Sequence, residues 1–303
     1  MSCPTFKVSV GIPVFGLGFT SSNQLIVGGG GGPGRSGVKN KLSSFKIDSR
    51  RKDLEEDAVF PFGADEDAPM CLDIHPQQDI VIAGVNGSEE DIKAGNNENC
   101  RMFKVTEDSI EKVNSLKTVT SKNVEDYQKV VRFSEDGSLF AVGTTTGNVD
   151  VFKYPSLKSI CDEPVSVVAD DEILDVDINL EKEKMIAATR DSLKLINLRG
   201  KNVGQIVQTI SSTTAVKNNK VNFRAFRYGR GFSKASGFAV ANGITKPGGY
   251  IIQYDAYTLE PVKTVQVTKK QITAFCISQD GSVLAFASSD LSISLLNAGN
   301  LKV

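Results

Sequence analysis

One pattern recurs along the chain and limits its fold more than any other feature. An alternating apolar strand is followed by a turn, a second apolar run ending in small residues, another turn and a third strand. The clearest copy covers 129–154 and reads KVVRF, SEDGS, LFAVGT, TTGN, VDVFKY. The last copy reads ITAFCI, SQDGS, VLAFASS, DL, SISLLN. Weaker copies open at Ile173 and Asn222, and two more at Phe15 and Met70. The starts near residues 15, 70, 129, 173, 222 and 272 are about 50 residues apart on average, against about 40–45 for a WD-repeat blade. Asp-Gly and Asn-Gly pairs between the runs favour hairpins, and no helical period persists.

Six three-strand copies, with a fourth strand expected in each connecting segment, predict an all-β chain: a WD40-like β-propeller with about six visible blades, folded as a single domain over 1–303. The runs LFAVG, VLAFAS and FAVANG are nearly continuous and apolar, as in strands covered on both faces. Residues 5–10 precede the first copy without local partners, so they are expected to close the last blade and remove an open edge. A hydrophobic content of 40% suffices for a buried core, and the net charge of −1 argues against a general nucleic-acid or anionic-membrane binder. The five cysteines lack any C-x-x-C pair, so neither a metal site nor a disulfide framework is expected. Cys71, Cys161 and Cys276 lie in or beside apolar runs and are expected to be small buried residues. No apolar run reaches the length a membrane helix requires.

In an antiparallel four-strand blade the loops between the second and third strands share one end with the links between blades. The long irregular segments 28–40, 63–69, 84–99 and 243–249 all fall at that end. Ordering them there carries an entropic cost, which marks this face as the functional candidate. The sharpest signal is GGGGGPGRSGVKN, residues 28–40. It contains a G-x-G-x-x-G match, but KLSSFKI after it reads as a strand, where a dinucleotide site needs a helix. A phosphate-loop reading fails too, because Val38 intervenes before Lys39 and no helix N-terminus follows. What remains is a backbone-rich protrusion that docks on a partner, with carbonyls of the kind that can take over a cation's hydration shell. Asn40 stands where the loop re-enters the sheet, placed either to pin the loop or to bond the partner.

GIPVFGLGF followed by LIVGGGGGPGRSGVKNKL resembles the cytosolic domain of the endoplasmic-reticulum guanine-nucleotide exchange factors that activate the small GTPase of COPII budding. That family's marker is a first-blade glycine tetrad, a spacer and G-[IV]-x-N-x-L. It is matched by the glycine run 28–32, whose members include Gly30, Gly31 and Gly32, then by Gly37, Val38, Asn40 and Leu42. The resemblance implies a first-blade loop that holds a potassium ion through main-chain carbonyls and presses on the GTPase, with Asn40 taking part. It also implies an interaction role for the acidic stretch ending in proline, here Asp65, Glu66, Asp67 and Pro69. Family members have seven blades and a membrane helix after the propeller. A seventh blade and an anchor are not visible in this sequence, so membrane attachment is expected only through a segment outside it, at the cytosolic face of the endoplasmic reticulum.

The implied activity is exchange by differential binding, with no covalent step. The only histidine, His75, sits in LDIHPQQD at a strand end and reads as a turn residue. A serine or cysteine triad would need a base that is not evident. Two rivals remain. A generic WD-repeat scaffold has no reason to carry the placed glycine signature. A propeller hydrolase would need clustered acids near the channel, for which Asp73, Asp175 and Asp177 are the candidates.

Overall fold

The computed structural model describes residues 5–34, 37–169 and 171–302. Its strands form six antiparallel sheets in sequence order, five of four strands and one of three. The first strands of these blades are Val14–Phe19, Cys71–Ile74, Gln128–Phe133, Asp175–Ile178, Val221–Tyr228 and Ile272–Ile277, each within two residues of the start read from the sequence. The expected fourth strands are present as Asp53–Pro61, Ile110–Leu116, Val165–Ser166, Ile206–Ser211 and Pro261–Thr268. The fold is thus all-β, built from six propeller blades.

Contacts divide the chain into two compact units, 1–145 with 154–157, and 146–153 with 158–303. In the first, Ile26, Leu42, Leu72, Val81 and Phe103 belong to one core that joins blades one and two. In the second, one core centred on Phe223, Phe226 and Tyr254 joins blades four and five, and another around Phe238, Phe275 and Phe286 joins five and six. The second strands Ile80–Gly84, Leu139–Thr144 and Lys184–Ala188 are buried from their second residue on, which accounts for their unbroken apolar sequence.

The sixth blade departs from that expectation. Val283–Ser288 alternates half-buried and buried, because only one face of its sheet is covered among the described residues. Phe275, Leu284, Phe286 and Leu296 pack inward, while Ile293 and Leu295 on the third strand are 77% and 54% exposed. Cys276 shares the uncovered face and is exposed rather than buried. Cys161 is half-buried and only Cys71 of the three is fully enclosed. Residues 5–10 carry no strand: Phe6, Lys7 and Ser9 stay exposed and only Val8 and Val10 are half-buried.

The Asp-Gly turns do more than reverse the chain. In the third blade Asp136 Oδ1 accepts from Ser134 Oγ and from the Ser138 amide, and Ser134 Oγ in turn accepts from the Leu139 amide. In the sixth, Asp280, Ser278, Ser282 and Val283 repeat the arrangement bond for bond. The following glycine has positive φ and sits against the preceding blade. A Cβ on Gly137 would lie 2.2 Å from His75 Nε2, and one on Gly281 would lie 1.7 Å from the Arg230 carbonyl oxygen.

Candidate functional site

The glycine loop joins Leu25–Gly29 to Lys41–Asp48, so a strand follows it, as the sequence requires. Its first glycines are dictated by close approach. A Cβ on Gly28 would meet Leu42, Leu72 and Pro69, and one on Gly30 would lie 2.1 Å from Asn40 Oδ1. Gly30 also has φ of +151° and Gly32 of +80°, which L side chains resist.

Asn40 closes the loop. Its Oδ1 accepts from the Gly32 amide at 3.0 Å, and its Nδ2 donates to the Gly32 carbonyl at 3.0 Å and to the Glu66 carbonyl at 2.8 Å. The side chain is buried at 5% exposure, and both amide hydrogens are committed. The side chain thus pins the loop, and pins it to the acidic turn.

That turn is held from several directions. The Phe62 amide donates to the Asn40 carbonyl, the Glu66 amide to the Gly63 carbonyl, and the Asp67 amide to the Asn86 carbonyl. Glu66 Oε2 accepts from the Gly63 amide at 2.7 Å, and Glu66 Oε1 is 2.6 Å from Arg101 Nη1. Asp67 Oδ1 accepts from the Ala68 amide and lies 3.6 Å from where a Cβ on Gly32 would be. Burial pushes the Asp67 carboxyl above its usual range, the Ala68 amide opposes this, and Glu125 reinforces it.

Gly32, Asn40, Glu66 and Asp67 therefore converge. Gly31, Gly37 and Asp65 are exposed around them, and Gly30 and Pro69 are buried beneath. Val38 is half-buried on the returning arm. Arg35 and Ser36 lie outside the described residues. Pro69 is buried against Gly28, where a Cβ would lie 3.2 Å from its ring, and so seats the loop.

The donor chemistry suits potassium in kind. The carbonyls of the glycine run are uncharged and belong to residues without side chains, the kind of donor such a cation takes. The Gly32 and Glu66 carbonyls that converge are shared with the Asn40 amide, each keeping a second lone pair.

Sequence reading missed the ties beneath the turn. Residues 84–99, read as irregular, contain a helix, Glu89–Ala94, capped by Ser88 at one end and by Gly95 in the left-handed region at the other. Asn86 donates to the Asp126 carbonyl, Asn97 donates to Asn86 Oδ1, and Asn97 Oδ1 accepts from the Gly87 amide. The S-x-x-D spacing at Ser88 and Asp91, with Gly95 after, is a capping signature that could have shown the helix. Nothing in the spacing of Arg101 points to Glu66.

The three acids that a hydrolase would need are spent on the frame. Asp73 Oδ2 accepts from the Phe133 amide of the next blade, and Asp177 Oδ2 from the Tyr228 amide. Asp175 takes the Phe226 amide and the Arg227 guanidinium. Each ties one blade's first strand to the next.

No family model matches the chain. Among curated proteins it is 35% identical to the guanine nucleotide-exchange factor SEC12 of Candida glabrata over 151 residues, 48% of this chain and 32% of that protein. The chain resembles the SEC12 exchange factors. The mouse SEC12 is 24% identical over 92% of the chain and 73% of its own length. SED4 of Candida glabrata is 24% identical over 98% of the chain, which spans 28% of that relative. The chain thus spans about a third or less of the two Candida relatives' own length. Solved structures share the fold alone. The Cps50 (Swd1) β-propeller domain of Myceliophteria thermophila superposes with a TM-score of 0.61 at 10% identity, covering 94% of this chain and 83% of that one. Chaetomium thermophilum Raptor gives 0.68 at 12% identity, covering 96% of this chain and 24% of that one. Among the described residues no helix is long and apolar enough to cross a membrane.

Proposed function

We propose that this chain is the propeller region of a guanine-nucleotide exchange factor that releases GDP from the small GTPase starting COPII budding at the endoplasmic reticulum. The similarity to SEC12 proteins carries the reading. The Asn40 latch between Gly32 and the acidic turn supports it, because a preorganised surface binds a partner without the cost of ordering itself. Gly31, Gly32, Gly37, Val38, Asp65 and Asp67 are the contact candidates, with Asn40 and Pro69 holding them in place.

Exchange requires only that the nucleotide-free GTPase bind here more tightly than the loaded one. Linkage then obliges the nucleotide to bind the complex more weakly by the same factor. No proton moves and no bond forms. Potassium, where the loop carbonyls hold it, would supply positive charge to the bare backbone of the glycine run.

The test is release of fluorescent GDP from the COPII GTPase with and without the folded chain. Acceleration is expected, reduced at least tenfold in Asn40→Ala and weakened when sodium replaces potassium. An unaccelerated rate with folded protein would leave a scaffold instead, and indifference to the ion would remove potassium alone.

A further inference from the structure

Arg101 lies on Cys100–Val105 of the second blade, outside every segment that the sequence marks as functional. Its side chain is 9% exposed and its Nη1 is 2.6 Å from Glu66 Oε1. The guanidinium carbon stands 5.8 Å from the centre of the Phe62 ring, and Nε donates to the Glu98 carbonyl at 3.4 Å. Arg101 thus grips the acidic turn at both ends. Phe62 begins it, with its amide on the Asn40 carbonyl, and Glu66 ends it, with its carbonyl on Asn40 Nδ2.

We propose that Arg101 is the positioning residue of this site, fixing the 63–67 turn against the glycine loop so that acidic turn and bare backbone are presented as one surface. The proposal rests on the exchange-factor reading for what that surface meets. Three features argue for it. The Arg101 end of the pair is nearly out of water while the Glu66 side chain is 29% exposed, so the contact is better shielded than one between two surface side chains. Glu66 is used twice over, its second oxygen capping the Gly63 amide, so moving the carboxylate moves the turn. Pairing Glu66 with Arg101 also leaves Asp65 and Asp67 as the turn's remaining acids, which sets the charge a partner meets. A planar guanidinium makes all three contacts in one fixed geometry, which the point charge of an ammonium does not reproduce.

Two readouts separate positioning from mere stability. Arg101→Met alone strands the Glu66 charge and can cost folding, so the deciding variant is Arg101→Met/Glu66→Gln, which removes that charge. It is expected to melt close to the parent, with the amides of Gly32, Gly63 and Asp67 exchanging at least tenfold faster. Those of the ladder strands Ile80–Gly84 and Leu139–Thr144 should be unchanged. In the GDP-release assay the same variant is expected to lose about tenfold to a hundredfold in exchange efficiency, the range that small misplacements produce. Arg101→Lys should restore only part of it.

Parent-like protection at those three amides would overturn the proposal, as would parent-like exchange by the double variant. Full restoration by lysine would reduce Arg101 to a counter-charge and overturn it equally. If the parent itself fails to release GDP, the exchange-factor reading falls, and the hydrogen-exchange arm still decides what Arg101 does.

Discussion

At the scale of single residues, the side chain that matters most faces inward. Asn40 spends its carbonyl on the Gly32 amide and both its hydrogens on the carbonyls of Gly32 and Glu66. Asparagine is the only residue of that length with one acceptor and two donors. Asn40→Asp keeps the size and the acceptor, but sets a carboxylate oxygen against two carbonyls. Asn40→Asp is therefore expected to lose more exchange activity than Asn40→Ala, and to cost about 1–3 kcal/mol in urea denaturation through its unsatisfied groups. An aspartate variant more active than the alanine one would mean that this position acts on the partner by charge. The sequence pointed to Asn40 because it follows a glycine run at a strand entry. It could not say which way the amide faces, since that depends on Glu66, which is 26 residues away.

At the scale of elements, what alternates and what turns was legible, and what packs across blades was not. SEDGS and SQDGS announced the same hairpin, and the two turns carry the same serine and aspartate bonds. The glycines' second duty, lying against the preceding blade, has no local trace. Three substitutions to alanine grade that duty. Gly200 has φ of +75° with open space around its missing Cβ, so Gly200→Ala should cost only the left-handed strain, about 1–2 kcal/mol. Gly137→Ala adds a collision with the His75 ring, and Gly281→Ala one with the Arg230 backbone, which cannot swing aside. Urea midpoints should fall in the order Gly200, Gly137, Gly281, the last being lowest, and equal losses would show that strain alone decides. The short helix in 84–99 escaped notice for a related reason. Only Ile92 of its six residues is buried, so it presents no apolar stripe to read.

At the scale of the whole molecule, six copies foretold six blades, while the covering of each face was beyond reach because it depends on neighbours. The single histidine gives the frame one titration near neutrality. His75 is buried at 3% exposure between Phe133 and Tyr154, and burial holds its imidazole below the usual range against the opposing pull of Asp136 and the Gly137 backbone. The unfolded chain takes up this proton near pH 6.5 and the folded chain later, so stability falls as pH drops below about 6.5 and levels off beneath the folded value. Asp67, Asp150 and Asp177, raised by burial, act oppositely at lower pH, since there the fold binds the proton first. Melting temperature followed from pH 7.5 to 5 should decline, and His75→Gln should flatten that slope whatever its own stability. An unchanged slope would place the proton elsewhere. The uncovered sheet of the sixth blade has a different consequence. Its last strand, Ile293–Asn297, carries Ile293 and Leu295 outward and has no fourth strand beside it among the described residues, and an open strand edge of that kind can pair with another extended chain. Among the described residues that edge is open to growth, so this chain is expected to associate edge to edge as it is concentrated, which light scattering against concentration would show.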